Sequence, residues 1–483
     1  MLVLSLLLAG CASDVGVTQI PEEVAEPTAR LTVQPTELAF EAARHGDVLT
    51  FDITNTGDGR MVVEDLDVLL SGTLFAVSDP AMRVLDSGQS TTVEVSWLGD
   101  PTTDASGLIT VVTDAPDGVV DVLVAAIGVE RRCDPAGNPF GAGQGTAEDP
   151  FLLCASDHLA RIPTGTQAHF ELAEDLDLIG YSRSPIEDFD GVFDGAGHTL
   201  RNWTQTAPGS LSLFETVSGT VMDLRVVSPT LTFGRDSGTV ARTVTGMLDG
   251  VHVSDAVLVS SGGMMGGVVN MATQGSLLSD VSFDGTITTT SDTGFLGGVV
   301  HSCRGLCTQL SASGVIDGGD AWKVGGLTVH VVGTLSSSVS RMEVSGGSRV
   351  GGLAAVLSGT IEDSYAEGSV SGLHWVGGLV GESYGGTEPT LIRSYSAGVV
   401  TSTTSHANVG GAGLLAWNNN PTTFIASVWD VDATGQTWSA GGTGLTSAEL
   451  RDPSHTVFTT WSAPWVHAVG EAPRLGWETA ESP

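Results

Sequence analysis

A pair of adjacent glycines returns at a nearly regular interval through the second half of the chain. Successive pairs differ by 31, 28, 26, 26 and 33 residues, and their second members are Gly267, Gly298, Gly326, Gly352, Gly378 and Gly411. The pairs lie in short apolar segments, and the sequence between them lacks the 3.6-residue apolar period of a helix. Repeats of this length predict stacked units, in this chain a parallel β-solenoid (β-helix) with repeats of ~26–33 residues.

The glycine pairs have a physical role in such a stack. Glycine has no Cβ, so the backbone can bend and approach the next coil where another residue would collide. Val350 and Val376 precede two of the pairs, and Leu353 and Leu379 follow them. These four apolar side chains are predicted to point into the stack.

The charge of the chain excludes one class of partner. It carries 19 Lys plus Arg against 56 Asp plus Glu, a formal net charge of −37, and Lys323 is its single lysine. Binding of nucleic acid is not expected, because phosphate recognition requires clustered cations. The 64 glycines and 6% aromatic residues suit many tight turns around small repeated cores, which indicates an all-β fold.

The first eleven residues, MLVLSLLLAGC, form an apolar run that ends in cysteine. This run resembles a bacterial lipoprotein signal with its lipobox, in which Cys11 carries lipid after cleavage. The resemblance implies an exported protein held to the membrane by a lipid anchor. Ala12 in place of aspartate implies the outer membrane and the cell surface. A plain secretory signal is the alternative, and the acidic residues 12–30 read as a flexible tether.

The cysteine count agrees with export. With Cys11 set aside, four of the five cysteines remain. Cys133 with Cys154 and Cys303 with Cys307 form two sequence-local pairs that suit disulfides in an oxidising compartment.

Residues 31–130 alternate apolar and polar side chains, as strands with one buried face do. The side chains that share one face are Leu49, Phe51 and Ile53 in DVLTFDITNTG, and Val93, Val95 and Trp97 in STTVEVSW. About 100 residues of such strands predict an immunoglobulin-like β-sandwich. The phrases LTVQPTELAF, DSGQSTTVEVSW and GLITVVTDAP resemble bacterial choice-of-anchor D modules, which implies a spacer or interaction domain.

The remaining chain is divided into a leading segment with the first coils at 131–218, a glycine-pair solenoid at 219–420 and a capping segment at 421–483. Its ordered phrases GTAEDPF, LAEDLDL, FDGVFDGAGHTL and SLFETVSGTVMDL, the glycine pairs, and SVWDVDATGQTWSAGGTGLTSAEL are similar to GLUG-motif proteins over roughly 133–475. That resemblance implies a β-solenoid surface protein.

Both ends of a solenoid need protection against edge pairing. A short helix near 156–162 is predicted to cover one end. At the other end, Thr446 and Glu449 match a capping box that starts a second helix. Trp461 and Trp465 are predicted to pack at that end as apolar lids.

Two motifs resemble reactive sites and are interpreted as structural. Ser383 lies in GESYG, the G-x-S-x-G pattern of hydrolases. That motif needs a helix after the serine, but the sequence that follows is typical of a strand. His301 with Cys303 and Cys307 resembles a zinc site, which would require a fourth ligand and reduced thiols. No catalytic residue is therefore expected.

Asp188, Asp190 and Asp194 place three carboxylates beside glycines in EDFDGVFDGAGH. Carboxylate oxygens are ligands that calcium prefers, although this spacing differs from that of an EF-hand loop. No cofactor is expected, with calcium at these aspartates as the alternative.

These observations favour a non-enzymatic, lipid-anchored cell-surface protein whose rigid solenoid mediates adhesion to a glycan, a matrix or a cell-surface protein. One alternative is a polysaccharide-active β-helix enzyme. A glycosidase needs two facing carboxylates, and a lyase would need a basic cleft near calcium. Another alternative is an envelope scaffold that faces the periplasm.

Overall fold

A computed structural model describes residues 26–41, 46–70, 74–99, 105–127, 133–134, 136–137, 139–385, 388–404 and 410–479. The chain divides into two compact units, Met1–Arg131 and Arg132–Pro483. The predicted signal, Cys11 and the tether as far as residue 25 lie outside the described residues. Within the described ranges, no helix combines the length and apolarity needed to cross a membrane.

The first unit is a β-sandwich. Its strands are β1 (Leu31–Gln34), β2 (Glu37–Glu41), β3 (Val48–Asn55), β4 (Met61–Leu70), β5 (Phe75–Val77), β6 (Val84–Leu85), β7 (Ser90–Trp97), β8 (Ala105–Thr113) and β9 (Val119–Ile127). One sheet has the strand order β1-β3-β7-β5 and the other β2-β9-β8-β4-β6. All pairs are antiparallel except β2 with β9.

Period-two alternation builds the core of this sandwich. Phe51, Ile53, Val93, Val95 and Trp97 are all buried, as their alternation with polar residues predicts. β3 and β7 pair in register, so that Phe51 lies opposite Val93. The residues between them face outward.

The second unit is a parallel β-solenoid of about eight coils, which confirms the predicted fold class. Its strands are β10 (Phe151–Leu153), β11 (His169–Leu172), β12 (Leu176–Asp177), β13 (Val192–Asp194), β14 (Thr199–Arg201), β15 (Thr204–Ala207), β16 (Phe214–Val217), β17 (Thr220–Val227), β18 (Thr230–Phe233), β19 (Ala241–Val244), β20 (Met247–Ser260), β21 (Met264–Gly266), β22 (Val269–Ala272), β23 (Leu277–Thr289), β24 (Phe295–Gly297), β25 (Val300–Cys303), β26 (Leu306–Asp317), β27 (Lys323–Gly325), β28 (Thr328–Val331), β29 (Thr334–Ser336), β30 (Val339–Gly351), β31 (Ala354–Leu357), β32 (Thr360–Glu362), β33 (Tyr365–Ala366), β34 (Val370–Gly377), β35 (Val380–Ser383), β36 (Thr390–Ile392), β37 (Tyr395–Ser396), β38 (Val400–Ser402), β39 (Gly411–Ala412), β40 (Leu415–Asn418), β41 (Thr423–Ile425), β42 (Val428–Asp430), β43 (Thr443–Leu445), β44 (Trp465–Val466) and β45 (Arg474–Leu475).

Two parallel sheets wrap the solenoid core. One has 26 strands and runs from β10 to β43, and the other has eight strands in the order β16-β19-β22-β25-β28-β31-β35-β40. The helices are short: α1 (Ser156–Leu159), α2 (Val431–Thr434) and α3 (Ser447–Leu450), with 3-10 turns at Thr456–Thr460 and Gly476–Thr479. β44 and β45 form a small antiparallel pair.

The two glycines of each pair meet different neighbours. A Cβ on Gly351 would collide with the carbonyl oxygen of Ala354 in the same coil, whereas a Cβ on Gly352 would collide with that of Gly378 in the next coil. The pairs at 266–267, 297–298, 325–326 and 377–378 meet equivalent obstacles. The first glycine therefore permits a tight bend within a coil, and the second permits close stacking of coils.

The strand register corrects one repeat position. β34 pairs with β39 so that Val376 lies opposite Gly411 and Gly377 opposite Ala412. A Cβ on Gly378 would accordingly meet the carbonyl oxygen of Gly413. Gly413 thus occupies the sixth stacking position, and the prediction of Gly411 is wrong by two residues because GAG, not GG, forms that bend.

A ladder of buried serines lines one corner of the coils. The Oγ atoms of Ser338, Ser364, Ser394 and Ser427 each accept a hydrogen bond from a main-chain N–H of the preceding coil, at 3.0, 3.1, 3.2 and 3.3 Å. The residue before each serine has positive φ, between 42° and 49°. The side-chain oxygens satisfy amides that the corner would otherwise leave unpaired.

The N-terminal end of the solenoid is covered as the sequence predicts. α1 begins at Ser156, and its Leu159 is fully buried in the solenoid core. Cys133 and Cys154 form a disulfide with a Cα–Cα distance of 5.9 Å. Phe140 packs against Phe170 beneath them, with the ring centroids 5.2 Å apart.

The C-terminal end is covered by a shorter piece than predicted. Gly413 N–H donates to the Trp438 carbonyl (2.9 Å), and Ala440 N–H donates to that of Leu415 (2.8 Å). β43 then completes the last coil beside β42. Residues 436–445 therefore close the stack.

Trp461 and Trp465 lie elsewhere, so their predicted place as end lids is wrong. After α3, whose capping box of Thr446 and Glu449 is present as predicted, the chain runs back along one flank of the coils. The indole N–H groups of Trp461, Trp465 and Trp477 donate to Ala426 O, Asp363 Oδ1 and Ser337 O, in three different coils. We call residues 446–479 the flank segment.

The flank segment covers two tyrosines that stack in register. The rings of Tyr365 and Tyr395 are 4.8 Å apart and nearly parallel. Both tyrosines are fully buried, and burial raises the pKa of each phenol. The Tyr365 hydroxyl donates to Glu478 (2.8 Å) and accepts from Arg341 (2.6 Å) and Arg474 (3.0 Å). The flank segment thereby buries aromatic and polar side chains on the outside of the coils, and together they form a second core.

Gly352→Ala should destabilise the solenoid. The added Cβ has no room against the Gly378 carbonyl, and overpacking of this kind costs about 1–3 kcal/mol. Gly209→Ala is the matched control, because a Cβ there meets no atom within 4 Å, and its effect should stay within about 0.5 kcal/mol. Denaturant unfolding of the two variants checks this, and equal midpoints would contradict the stacking role of the second glycine.

Tyr365→Phe should loosen the flank segment. Removal of the hydroxyl leaves Glu478 and two arginines short of a buried partner, at a cost of about 1–3 kcal/mol. Tyr384→Phe is the control, because Tyr384 is 56% exposed. Limited proteolysis should cut the Tyr365→Phe chain within residues 446–479 sooner than the wild type, while Tyr384→Phe should resemble the wild type.

Candidate functional site

The bend at the glycine pairs forms a groove on the outside of the solenoid. Alternate residues of a strand face opposite ways, so Val350 points into the core and Gly351 points out. Because a Cβ at Gly351 would meet the Ala354 carbonyl oxygen of the same coil, the chain bends toward its outer side. Side chains before and after the bend face each other there, as the Arg349–Glu382 ion pair shows. We call this concave strip the bend groove.

One wall of the bend groove is a column of residues that immediately precede the apolar–glycine–glycine phrases. Phe295 pairs directly with Lys323 in the next coil. The pairing of the residues beside them places Lys323 next to Arg349, and Arg349 next to Trp375, in the two coils that follow. Arg349 and Trp375 have φ of 52° and 50°. These two residues are equivalent positions in neighbouring coils. Left-handed backbone at non-glycine residues is costly and often accompanies functional sites.

Each cation of this wall contacts an aromatic ring of a neighbouring coil. The Lys323 ammonium lies 5.6 Å from the centroid of the Phe295 ring. The Arg349 guanidinium lies 4.5 Å from the centroid of Trp375, and Trp375 stacks on Trp417 at 4.3 Å. Such cation–π contacts hold the charged groups in place while leaving their N–H donors at the edge.

The opposite wall comes from the eight-stranded sheet. Its side chains toward the groove include His301, His330, Glu382 and Trp417. On β28 and β31 of this sheet, Val329, Ala355 and Val356 form a small buried cluster, and Phe295 of the first wall packs against it. This cluster is separate from the solenoid core, so the groove has its own apolar floor.

Glu382 and Arg349 form an ion pair across the groove. The Arg349 Nε–Glu382 Oε2 distance is 2.5 Å, and the Glu382 side chain is 3% exposed. A buried carboxylate without its partner would be strongly destabilising. This pair therefore fixes the position of the guanidinium.

The groove histidines are held neutral. Burial, together with the charges of His330, Lys323 and Arg304, lowers the pKa of His301 to about 3. Burial likewise lowers the pKa of His330 to about 4, assisted by Lys323 and Arg304. His330 Nε2 lies 2.8 Å from Ser358 Oγ, which donates to the Tyr384 carbonyl, so Nε2 carries the proton.

Burial also lowers the pKa of Lys323. Arg349 acts in the same direction, and Glu382 opposes the shift. The ammonium is thus half-buried among groups that do not pair with it. Among the described residues no carboxylate lies within ion-pair distance of Lys323.

Sequence reasoning did not identify the bend groove, although a signal was present. The phrases FLGG, KVGG, RVGG and WVGG place Phe295, Lys323, Arg349 and Trp375 at the same position before each glycine pair. Aligned by repeat, these four positions combine two cations with two aromatic rings, and the sequence around them has no helical periodicity. The opposite wall carries no comparable signal, because its residues vary from coil to coil.

Ser383 is a structural residue in its strand. It is fully buried at the end of β35. Its Oγ donates to the Asn420 carbonyl (2.9 Å) and accepts from Thr422 Oγ1 (2.7 Å). The next regular element among the described residues is β36, a strand, so the strand–turn–helix context of a hydrolase serine is not formed here.

Cys303 and Cys307 form the second disulfide, with a Cα–Cα distance of 6.4 Å. Both predicted cysteine pairs therefore lie at disulfide distance. His301 packs edge-on against Phe295 and belongs to the groove.

The three aspartates considered for calcium are not gathered around one point. Asp190 accepts from Gln167 at 2.8 Å, and Asp194 accepts from the Ala196 N–H at 2.7 Å. Burial raises the pKa of Asp194, the Ala196 N–H opposes the shift, and Asp223 adds to it. In the described ranges no group of three or more His, Cys, Asp or Glu residues could hold a metal ion. Calcium binding at Asp188, Asp190 and Asp194 stays a prediction.

No protein-family model matches this chain. The resemblances to GLUG-motif proteins and to choice-of-anchor D modules therefore stay predictions. The chain is 29% identical over 364 residues to Halomucin of Haloquadratum walsbyi (strain DSM 16790 / HBSQ001), an alignment that covers 70% of this chain. The same alignment spans 3% of Halomucin.

Two solved structures share part of the architecture. A provisionally assigned immunoglobulin A1 protease from Bacteroides ovatus is 16% identical, with a TM-score of 0.41, over 71% of this chain and 97% of that one. An IgA1 protease is 16% identical, with a TM-score of 0.36, over 86% of this chain and 30% of that one. Both TM-scores are below 0.5, so neither structure bears on the function of this chain.

The neutral histidines predict a pH dependence of stability. The unfolded pKa of histidine is about 6.5, and that of His330 in the folded protein is about 4. The unfolded state therefore binds more protons below pH 6.5, and the free energy of unfolding should fall as the pH is lowered from about 6.5 to 4.

His330→Gln should reduce this loss. Between pH 7 and pH 5 the variant should lose about 2 kcal/mol less than the wild type. Urea unfolding at both pH values measures the difference, with His252→Gln, a histidine outside the groove, as control. Parallel pH profiles for His330→Gln and the wild type would refute a depressed pKa at His330.

Proposed function

We propose that this chain is a non-enzymatic, exported surface protein whose solenoid binds other molecules through the bend groove. The observation that carries the proposal is the in-register column of Phe295, Lys323, Arg349 and Trp375, each from a different coil. A stack of paired strands holds these side chains at a fixed spacing of ~4.8 Å per coil. Such a surface is preorganised for an extended partner, which lowers the entropic cost of binding.

The states of the reactive groups support a binding role over catalysis. Glu382 is buried in an ion pair with Arg349, and Ser383 is hydrogen-bonded within its strand. His301 and His330 remain neutral near pH 7 with pKa values of about 3 and 4. Neither histidine is therefore poised near neutral pH for proton transfer.

Export and surface display rest on the sequence and on the disulfides. The cysteine pairs suit an oxidising compartment, and the strongly acidic charge of −37 suits a soluble, self-repelling exterior. The lipid anchor at Cys11 and the outer-membrane location are part of this proposal, as is a glycan, matrix or cell-surface partner. A polysaccharide-active enzyme and a periplasmic scaffold are the competing outcomes.

The full chain should release no reducing ends from a panel of neutral and acidic polysaccharides. It should retain at least one of the same polymers, or an extracellular-matrix protein, in a co-sedimentation assay. A matched reaction with a known glycoside hydrolase verifies the release assay. Sustained turnover by the wild-type chain would overturn the non-enzymatic proposal.

Surface display has its own test. Antibody to the solenoid should label intact cells as strongly as cells with a permeabilised outer membrane, and external protease should remove the label. A periplasmic protein serves as the control for membrane integrity. Labelling only after permeabilisation would place the protein in the periplasm and refute adhesion.

A further inference from the structure

The bend groove carries an excess of positive charge in a strongly acidic protein. Lys323 and Arg349 lie on one wall, and Arg304 acts on both groove histidines from the rim. Glu382 pairs with Arg349 and attracts Lys323. Within the described part of the chain, no carboxylate lies at ion-pair distance from Lys323 or Arg304, which stands out in a chain whose formal net charge is −37.

Part of this cationic hydrogen-bonding capacity is unused within the chain. Arg349 uses Nε for Glu382, and its Nη1 lies 3.4 Å from Ser348 Oγ. Among the described residues, neither Arg349 Nη2 nor the Lys323 ammonium has a hydrogen-bond partner. Charged donors of this kind form their strongest hydrogen bonds with an ionised acceptor.

The two cations lie on neighbouring coils of the groove wall. Lys323 and Arg349 occupy equivalent positions in adjacent coils, and adjacent parallel strands lie ~4.8 Å apart. Lys323 lies over the ring of the preceding coil and Arg349 over that of the following coil, so each offers its own contact to an anionic group along the groove. The neighbouring rings of Phe295 and Trp375 already position these cations, so little ordering is needed when the anion binds.

The environment of this pair of cations favours a polysaccharide over a peptide. The strands that line the groove are paired with a neighbour on each side, so they offer no free edge to an added peptide strand. Trp322, next to Lys323 in sequence, is 57% exposed. Its ring provides uncovered aromatic surface one residue from Lys323.

We propose that Lys323 and Arg349 bind the carboxylate or sulfate groups of an acidic polysaccharide laid in the bend groove. This inference rests on the proposed binding function and specifies its ligand class. Arg304 adds long-range attraction at the rim. The neutral histidines add no charge of their own.

The test uses the full chain and three probes, namely polygalacturonate, uncharged dextran of matched length and monomeric galacturonate. Affinities are measured by titration calorimetry at low and high NaCl concentration. The wild type should bind polygalacturonate, and binding should weaken as salt screens the charges. Dextran and the monomer should bind at least about tenfold more weakly, since each 1.4 kcal/mol corresponds to a factor of ten.

Lys323→Met removes the charge and keeps an unbranched apolar stem over Phe295. It should raise the dissociation constant for polygalacturonate about 10- to 150-fold, the range for loss of one charge-assisted contact. Arg225→Gln is the matched control, because Arg225 is an exposed cation elsewhere on the solenoid, and it should change the constant less than about twofold. Denaturant midpoints confirm that both variants fold.

Other results would overturn the inference in distinct ways. Equal loss in Lys323→Met and Arg225→Gln would mean general charge attraction with no site at the groove. Equal affinity for monomeric galacturonate and for polygalacturonate would mean that the site recognises a free carboxylate and not a polymer. Binding of dextran or of a matrix protein, unchanged by Lys323→Met, would refute this ligand class while leaving the proposed binding function intact. Release of reducing ends would instead refute the proposed function itself.

Discussion

The structure of the solenoid depends on a steric constraint at the glycine pairs. The first glycine bends the chain against its own coil, and the second lets the next coil approach at strand spacing. A side chain at Gly351 or Gly352 would push apart the sheets that meet there. The same bend that closes the core also makes the outer surface concave. Stability and the candidate binding surface therefore arise from one backbone feature.

A second constraint comes from the polar groups that repeated corners would otherwise leave unpaired. Residues with positive φ, such as Asp363 and Arg393, turn the chain at one corner. The serine that follows each turn, for example Ser364, accepts an N–H from the preceding coil. Tyr365, next in sequence, then forms the surface that the flank segment covers. One short stretch of each repeat thus satisfies the corner and recruits the C-terminal residues.

The bend groove follows from these two constraints and from the choice of side chains beside them. The coils fix where each residue stands, so a cation placed before one glycine pair lies beside the cation before the next. Lys323 and Arg349 are brought together in this way although 26 residues separate their glycine pairs. In a chain of net charge −37 the juxtaposition of cations is chemically selective, because it favours an anionic partner that the rest of the surface repels.

The sequence by itself determined the all-β class, the parallel solenoid, the two cysteine pairs, the start of the first helix and the capping box at Thr446. Each is set by local spacing, by residue type or by a short-range hydrogen bond. Only the tertiary structure decided that Gly413 replaces Gly411 in the stack, that Trp461 and Trp465 lie on a flank, and that Glu382 faces Arg349. Those outcomes depend on which coil lies beside which and in what register, and side chains from different coils meet only after the chain has wound around its core.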